Sequence, residues 1–357
     1  MQLKVITEAG DIPLSKDEWN ALVFKNETNT IFQTYEWFES WWKAFGKNYS
    51  LYLILVYKDS VITGFAPFML LEKKRIRELL FIGDGNSDYM DFVLPTDKEK
   101  SLRQICDFLS KNNDITKISL NNIPEYSSTS ILIKKSCHEC RLVYILNNDT
   151  SCPTLLIEGH HEETKKLINK YSNKRPFNYF RRQGTLTFRH LQDAEIERNL
   201  EQFFRQHISR WGKTRYKSLF TNIENQVFYR ELAKNISATG WLLFSVTELN
   251  GKPISYHFGF EYDNKIIWYK PSFEIQYSAH SPGKALLRFL IQYALNTNKT
   301  ELDFTIGDES FKSRFKNKTR YNSNIHIYNK SRRYWSHRIR KIAVNTAKNV
   351  LAFLKRA

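Results

Sequence analysis

The sequence predicts an α/β protein, with α+β as the close variant, built from two similar domains. The chain has 357 residues, more than one hydrophobic core usually organises, so its length favours two domains. Apolar residues make up 41% and charged residues 25% of the chain, a composition that excludes disordered and fibrous proteins. Segments with helical and with strand periodicity alternate along both halves, and this alternation indicates the fold class.

The first half is predicted to contain helices interspersed with strands. Trp37, Phe38, Trp41, Trp42 and Phe45 recur at helical spacing, which is typical of a buried helix face. Two β-rich runs flank a polar turn at 58–60 and predict a hairpin. The predicted elements are a strand at 3–7, a helix at 16–24, the aromatic helix, the hairpin, strands at 79–82 and 89–94, a helix at 98–112 and a strand at 115–120.

The second half repeats this order of elements. Asn250-Gly251 lies between two β-rich runs and is the strongest hairpin signal in the chain, because a two-residue turn of this type needs positive φ angles. The halves show no evident sequence identity, but their shared order predicts two copies of one fold. The predicted elements are helices at 195–211 and 224–238, the hairpin, a strand at 266–270, a helix at 283–296, a strand at 301–305, a short helix at 310–315 and a strand at 325–328.

A basic segment separates the two halves. Residues 160–184 carry seven cations within 18 residues and a proline at 176, which predicts an interrupted helical connector that is either a solvated linker or a phosphate-facing surface. The cations are Lys165, Lys166, Lys170, Lys174, Arg175, Arg181 and Arg182. The predicted division is an N-terminal domain at 1–159, the connector at 160–184, a C-terminal domain at 185–330 and a tail at 331–357.

The net charge is strongly positive. There are 54 Lys and Arg against 37 Asp and Glu, and a net charge of +17 predicts a partner that bears phosphate: nucleic acid, anionic lipid or a polyphosphate cofactor. The last 27 residues hold eight of the cations and no Asp or Glu. Because their apolar residues share one helical face, they predict a basic amphipathic helix that docks either on the protein itself or on an anionic membrane.

The sequence predicts a cytoplasmic protein, with peripheral contact to the inner face of the membrane as a variant. The first residues lack the basic and apolar regions of a secretory signal, and no apolar run approaches the ~20 residues of a membrane-spanning helix. Four cysteines are too few for a disulfide scaffold. Cys137, Cys140, Cys152 and His160 are zinc-ligand types, but their spacing matches no standard zinc finger, so no metal site is predicted.

The start of the helix at 283–296 is a candidate anion site. Ser281 is predicted as its N-cap and Pro282 as its first helical residue. Free amides at a helix start favour phosphate, and here they lie beside Gly283, which lets a ligand approach, and the charge of Lys284. The same residues suit an ordinary helix start, and the pattern alone does not separate the two interpretations.

Carboxylates accompany the next strand. Asp303 lies in the strand and Asp308 in the loop after it, where a carboxylate can take a proton from a nucleophile. Lys312 and Arg314 follow on the short helix and are candidate pocket residues or ion-pair partners of these carboxylates. A capped turn with surface salt bridges is the alternative interpretation.

Several segments form an ordered set from about residue 30 to residue 315. They are Phe32-Gln33-Thr34-Tyr35-Glu36-Trp37, Trp41-Trp42, Phe45-Gly46, Tyr256-His257-Phe258-Gly259, Trp268-Tyr269-Lys270-Pro271-Ser272, Ser281-Pro282-Gly283, Asp303-Phe304 and Gly307-Asp308-Glu309-Ser310-Phe311-Lys312. In this order, and with the order of helices and strands, the chain resembles the CelD-type, BioF-like acetyltransferase domain of the GNAT superfamily, a relative of the FemAB transferases. The resemblance implies tandem GNAT-like domains, each a mixed, mostly antiparallel sheet flanked by helices.

The resemblance also implies an activity in the C-terminal copy: transfer of an acyl group from acetyl-CoA or another acyl-CoA to an amine or hydroxyl. Amides near Ser281, Gly283 and Lys284 would then hold the pyrophosphate of coenzyme A. Asp303 or Asp308 would be the general base. The strand residues that would line the thioester are Trp268, Tyr269 and Lys270, and the remaining pocket residues would be Tyr256, Ser272, Lys312 and Arg314.

His257 has two interpretations. It is a rival for the general base, because an unperturbed imidazole titrates near neutrality, or it is a histidine buried in the core. A second ambiguity concerns the donor: a GNAT pyrophosphate loop is richer in glycine, whereas this chain offers Gln276 and then only Gly283. FemAB relatives use aminoacyl-tRNA, and the connector cations would suit an RNA backbone.

The resemblance further implies a role in cell-envelope or exopolysaccharide biosynthesis, with a small molecule or glycan as acceptor. Nucleic acid is a partner only if tRNA is the donor. A non-catalytic peripheral scaffold, which keeps the fold and docks through its basic tail, is the alternative from a different functional class.

Overall fold

The structure is a computed structural model, and it describes residues 1–73, 76–214 and 216–328. These residues form two compact units. Unit 1 contains Met1–Thr28, Asn48–Asp149 and the described residues from 322 onward, and unit 2 contains Asn29–Lys47 and Thr150–Tyr321. Helices and strands alternate in both units, which confirms the predicted fold class.

The strands and helices are numbered along the chain. The strands are β1 (Gln2–Ile6), β2 (Ser50–Lys58), β3 (Val61–Lys73), β4 (Ile76–Phe81), β5 (Lys117–Pro124), β6 (Val143–Leu156), β7 (Leu186–His190), β8 (Leu242–Leu249), β9 (Lys252–Tyr262), β10 (Lys265–Phe273), β11 (Glu301–Asp303) and β12 (Lys318–Tyr328). The helices are α1 (Lys16–Lys25), α2 (Tyr35–Phe45), α3 (Lys98–Lys111), α4 (Thr129–Glu139), α5 (His161–Asn169), α6 (Tyr171–Gln183), α7 (Ala194–Gly212), α8 (Ile223–Ser237) and α9 (Pro282–Asn296).

Unit 1 is built on a mixed sheet in the order β1-β2-β3-β4-β5-β12. Its pairs are antiparallel except for β4 and β5, which are parallel and are connected through α3. The apolar side of α3 packs on this sheet through Leu102 and Ile105, which share a core with Phe68 and Ile325. The sheet is therefore buried by helices, as an α/β unit requires.

Unit 2 is built on a mixed sheet in the order β6-β11-β10-β9-β8-β7. Here β10 and β11 are the parallel pair, connected through α9, and the pairs β6–β11, β10–β9, β9–β8 and β8–β7 are antiparallel. One sheet face packs on α9, where Leu290 shares a core with Ile266 and Leu302. Aromatic residues of α2, α7 and α8 cover the opposite face, with Phe203 of α7 stacked on Phe258 at 6.1 Å between ring centroids.

The two units repeat one connectivity in detail. Glu78 of β4 pairs in register with Lys117 of β5, and Lys265 of β10 pairs in register with Glu301 of β11. Both units thus have an oppositely charged pair at the same two positions, with the acidic residue on the first strand in unit 1 and on the second strand in unit 2. The residues that precede the crossover helices α3 and α9 both have positive φ angles, 49° at 97 and 54° at 281. The prediction of two copies of one fold is confirmed by this shared connectivity.

The predicted domain boundaries differ from the observed units. Residues 29–47 belong to unit 2 although they lie in the first half of the chain, because the aromatic face of α2 packs on α8. Trp37, for example, contacts Phe228 with 5.1 Å between ring centroids. Residues 150–159 also belong to unit 2, where the end of β6 pairs with β11.

The predicted connector at 160–184 is part of unit 2 and not a separate linker. Its two helices, α5 and α6, both contact α9. The helical path breaks at Lys170, and Pro176 lies inside α6 instead of interrupting it. The cations of this segment are exposed or half-buried on its surface, which suits both a solvated face and a phosphate-facing one.

Several local predictions also need correction. The strand predicted at 89–94 is a loop with one isolated bridge, between Val93 and Phe65. The helix predicted at 310–315 is a single 3₁₀ turn at Lys312–Arg314. Asn250 and Gly251 have φ angles of 52° and 73°, which confirms the predicted hairpin turn. The basic helix predicted at 331–357 lies outside the described residues, and none of the described helices is long and apolar enough to span a membrane.

Candidate functional site

The candidate site lies in unit 2, where the parallel pairing of β10 and β11 ends. The two strands are paired only over three residues, ending at Ile267 opposite Asp303. Directly after this pair β10 contains a bulge, because Trp268 and Tyr269 together oppose the single residue Gly259 of β9. The place where the parallel pairing ends, at Ile267 and Asp303, is called the wedge below; it lies at the carboxyl ends of the two strands, the usual position of a ligand site in such sheets.

His257 holds the bulge from the neighbouring strand. Its Nε2 accepts the Tyr269 N–H at 3.2 Å, and its ring stacks on Trp268 with 4.5 Å between centroids. Burial lowers the pKa of His257 to about 3, and the charge of His190 adds to this effect. A neutral, fully buried imidazole whose Nε2 already accepts a hydrogen bond is not a general base at neutral pH, so the interpretation as a buried histidine replaces the catalytic one.

Asp303 ends β11 at the mouth of the wedge. It is buried, and its Oδ1 accepts the Thr305 N–H at 2.7 Å. Thr305 has a φ of 54°, an outlier for a β-branched residue, and its hydroxyl donates to the Trp268 carbonyl at 3.4 Å. Strained backbone of this kind concentrates at functional sites. The structure therefore fixes the Asp303 carboxylate beside the bulge, through a threonine that no local sequence signal identified.

Asp308, a predicted candidate for the general base, and Lys312, a predicted pocket residue, both belong to the loop that follows. Asp308 is exposed and its carboxylate accepts the Ser151 hydroxyl. The Lys312 side chain is buried, and its ammonium donates to the Ile306 carbonyl at 2.7 Å and pairs with Glu309 at 2.8 Å. These bonds close the loop on itself and give Lys312 a structural role, while its predicted pocket role stays a prediction.

The start of α9 brings two predicted cations together. Lys284 has a lowered pKa, first because of burial and second because the charge of Arg314 is close to it. Gly283 has room beside it, because an added Cβ would meet only the Phe273 ring, at an ordinary contact distance of 3.6 Å. Ser281 is the N-cap residue, as predicted, but its side chain makes no capping hydrogen bond. Its carbonyl accepts the Lys284 N–H at 3.0 Å.

The predicted pocket residues Tyr256 and Ser272 lie in the core. They are cross-strand neighbours on β9 and β10, and both are completely buried. The Tyr256 hydroxyl donates to Asn199 at 2.7 Å, and burial raises its pKa. Tyr269 packs on Phe32 with 5.5 Å between ring centroids, and the Lys270 ammonium lies 3.8 Å from the Tyr269 ring centroid. Complete burial therefore gives Tyr256 and Ser272 a role in packing the core.

Two further contacts at the start of α9 were not predicted. Arg210 of α7 donates to the Pro271 carbonyl at 2.8 Å, and its guanidinium lies 4.4 Å from the ring centroid of Phe273. On the other side, Tyr179 of α6 stacks on His280 with 3.7 Å between ring centroids. Both contacts join residues far apart in sequence, so local patterns contain no signal for them.

The four cysteines are free thiols. Within the described ranges, no group of three or more His, Cys, Asp or Glu side chains is arranged to hold a metal ion. The zinc set of Cys137, Cys140, Cys152 and His160 is therefore not assembled there.

Comparisons with known proteins agree with this architecture. Residues 169–313 match the family described as acetyltransferase (GNAT) domain. This range runs from the end of α5 past the bulge and the start of α9 to the loop at Lys312. Curated protein sequences gave no match.

Solved structures of similar fold are distant in sequence. FemX is 11% identical, with a TM-score of 0.63 over 91% of this chain and 97% of that chain. L-PGS from Bacillus licheniformis is 10% identical, with a TM-score of 0.54 over 82% of this chain and 91% of that chain. The C-terminal domain (DUF2156) of a putative lysylphosphatidylglycerol synthetase from Agrobacterium fabrum is 12% identical, with a TM-score of 0.53 over 86% and 92%.

At such identities these structures are evidence for the fold alone. The range of the family match contains the bulge, Asp303 and Lys284, and Arg314 is the first residue after it. Residues 169–313 are therefore similar to the acetyltransferase (GNAT) domain, a likeness that covers less than half of the chain.

Proposed function

We propose that unit 2 transfers an acyl group from acyl-CoA to an amine or hydroxyl at the wedge between β10 and β11. The observation that carries the proposal is the end of the parallel pairing at Ile267 and Asp303, directly before a bulge, in the unit that also holds the neighbouring cations Lys284 and Arg314. A donor with phosphate at one end and an activated carbonyl at the other matches cations and a carboxylate placed in this way.

The start of α9 fits the phosphate end of such a donor. Burial first, and the nearby charge of Arg314 second, lower the pKa of Lys284, and a phosphate bound beside the two cations would offset both effects. Gly283 leaves space for a close approach to the backbone. A bound acyl-CoA would supply the activated thioester carbonyl, while Lys284, Arg314 and the Gly283 amide would hold its phosphates.

Asp303 is the proposed proton acceptor. Its carboxylate is fixed by the Thr305 N–H at the mouth of the wedge, so it would orient the acceptor and take the proton that its amine or hydroxyl loses. His257 would keep the bulge in shape by holding the Tyr269 amide. In unit 1 the equivalent of Asp303 is Ser119, whose hydroxyl hydrogen-bonds to Glu78, so the proposed chemistry belongs to unit 2.

Binding of coenzyme A tests the proposal directly. At one hundred times its dissociation constant, a ligand of the folded state stabilises it by about 2.7 kcal/mol, so coenzyme A is expected to raise the melting temperature. Lys284→Gln and Arg314→Gln should each weaken this effect, whereas Lys252→Gln, at an exposed lysine of the β9 hairpin, should not. Equal effects of all three substitutions, or no stabilisation of the wild type, would contradict the proposed donor site.

Aminoacyl-tRNA is the second candidate donor, and two observations favour it. His257 already accepts the Tyr269 amide at the bulge, which removes one donor for a thioester carbonyl. In addition, α6 carries Lys174, Arg175, Arg181 and Arg182 without any Asp or Glu. Retention of tRNA on a filter with a steep salt dependence, together with no response to coenzyme A, would favour this donor. A protein that binds neither would be a non-catalytic scaffold.

We further propose an acceptor, a small molecule or a glycan, in cell-envelope or exopolysaccharide biosynthesis, as the CelD-type resemblance implies. The eight cations of residues 331–357 would hold the protein at an anionic membrane surface. Sedimentation with vesicles of anionic phospholipid tests this part separately. Removal of residues 331–357 should abolish sedimentation, and unchanged sedimentation would contradict the membrane role.

A further inference from the structure

Helices α6 and α9 of unit 2 form a basic surface that contains no carboxylate of its own. The two helices are in contact, and neither of them contains Asp or Glu. Their cations are Lys174, Arg175, Arg181 and Arg182 on α6 and Lys284 and Arg288 on α9. A surface with charges of one sign attracts a ligand of the opposite sign, so we call it the basic face and expect an anion there.

One aromatic ring on the basic face carries two guanidinium groups. The guanidinium carbon of Arg288 lies 5.0 Å from the ring centroid of Phe177, and that of Arg181 lies 5.5 Å from the same centroid. The ring itself is held in a stack, with Phe188 at 5.8 Å between centroids and Phe289 of α9 at 5.0 Å from Phe188. Cation–π contacts with a fixed ring therefore hold two like charges close to each other.

Neither of these guanidinium groups has an acidic partner. In the part of the chain that the structure describes, no carboxylate pairs with Arg181 or Arg288. Other arginines of the same unit do have such partners, because Arg189, Arg230 and Arg320 each pair with a glutamate. The charges on the Phe177 ring are therefore not balanced by the protein itself.

Arg288 is the better fixed of the two. It is half-buried, its Nε–H donates to the Ile168 carbonyl at 3.1 Å, and burial lowers its pKa. Its two terminal amino groups make no hydrogen bond among the described residues. A guanidinium presents these groups as a planar fork that matches two oxygens of one phosphate. A bound phosphate would also offset the unfavourable burial of the charge.

Arg288 lies one helical turn beyond the proposed donor site. Lys284 and Arg288 are four residues apart in α9, so they lie on the same side of the helix, about 6 Å apart along its axis. The helix α6 also reaches the segment before α9, where Tyr179 stacks on His280. A single ribose spans a distance of about one helical turn, so one nucleotide can bring a phosphate to each of the two cations.

We propose that Arg288, together with Arg181, binds the 3′-phosphate of coenzyme A while the pyrophosphate of the same molecule lies at the start of α9. Because this ligand is the donor of the proposed acyl transfer, the proposal rests on that function and specifies its donor as a ribonucleotide with a phosphomonoester on the ribose. The protein should therefore distinguish coenzyme A from dephospho-coenzyme A, which lacks only this phosphate.

The test compares these two nucleotides on the full chain by isothermal titration calorimetry at one fixed salt concentration, because salt screens exposed charges. The wild type should bind coenzyme A about tenfold more tightly than dephospho-coenzyme A. Arg288→Gln should bring this ratio to about one by weakening only the binding of coenzyme A. Arg181→Gln should lower the ratio in the same direction, whereas Arg198→Gln, at an exposed arginine of α7 outside the basic face, should leave it unchanged.

The possible failures separate this proposal from the proposed function. Equal binding of the two nucleotides by the wild type would overturn the 3′-phosphate site and leave the donor site standing, while binding of neither would overturn both. Equal binding together with a loss of tRNA retention in Arg288→Gln would assign the basic face to an RNA donor instead. The comparison of the two nucleotides needs only the wild type, so a variant that fails to fold does not remove the test.

Discussion

Gly259→Ala tests how the bulge of β10 is held. A Cβ at Gly259 would lie 2.0 Å from Cε1 and 2.3 Å from Nε2 of His257, and 2.5 Å from the Ile267 carbonyl oxygen. No real side chain makes such contacts, so the His257 ring must turn away or β10 must move. Either response breaks the hydrogen bond from the Tyr269 amide to His257.

The expected loss of stability follows from two costs. Overpacking a close-packed site costs about 1–3 kcal/mol, and a buried amide left without its acceptor costs about 1–3 kcal/mol more. Gly259→Ala should therefore destabilise unit 2 by about 2–6 kcal/mol. Gly283→Ala is the matched control, because its Cβ would meet only Phe273 at 3.6 Å, and alanine favours a helix over glycine by up to about 1 kcal/mol.

Urea unfolding followed by circular dichroism measures both variants. The double variant His257→Ala/Gly259→Ala should recover part of the loss relative to Gly259→Ala, since the ring no longer obstructs the Cβ while the Ile267 carbonyl still does. The reasoning is refuted if Gly259→Ala unfolds at the same urea concentration as the wild type. It is also refuted if removing the His257 ring gives no recovery.

Three further predictions concern individual side chains. Asp303→Asn should abolish acyl transfer in a steady-state assay while the thermal response to coenzyme A persists, and full turnover would exclude Asp303 as the proton acceptor. Because the folded pKa of His257 is about 3, below the ordinary value of 6.5, its contribution to stability is present above pH 6.5 and falls by about 1.4 kcal/mol per pH unit below it. Replacing His257 with Gln should flatten the acid limb of the stability–pH curve, and an unchanged slope would contradict the assignment. Lys312→Met should lower the free energy of unfolding, measured by urea denaturation, by about 1–3 kcal/mol, because the Ile306 carbonyl loses its donor. A changed KM for the acceptor without a loss of stability would instead support a pocket role.

The sequence alone determined the class of the fold and much of its local detail. Apolar periodicity reports which face of a helix or strand is buried, so the alternation of elements and the aromatic face of α2 were predictable. Asn250 and Gly251 determined their turn, because few residues other than asparagine, aspartate and glycine tolerate the positive φ angles that it needs. Asp303, Lys284 and Arg314 were predicted as site residues from their position next to a predicted strand and helix, and their roles stay predictions.

Only the tertiary structure decided which partners these elements take. The sequence assigned α2 to the first domain because it precedes β2, but its aromatic face finds its match on α8 in unit 2. The same limit explains His257 and Lys312, two titratable residues that local patterns favour for chemistry. Burial against Trp268 keeps the imidazole neutral, and the Ile306 carbonyl engages the lysine. Periodicity is a local property of the chain, whereas burial, pKa and pairing arise from contacts between residues far apart in it, and these exist only once the chain has folded.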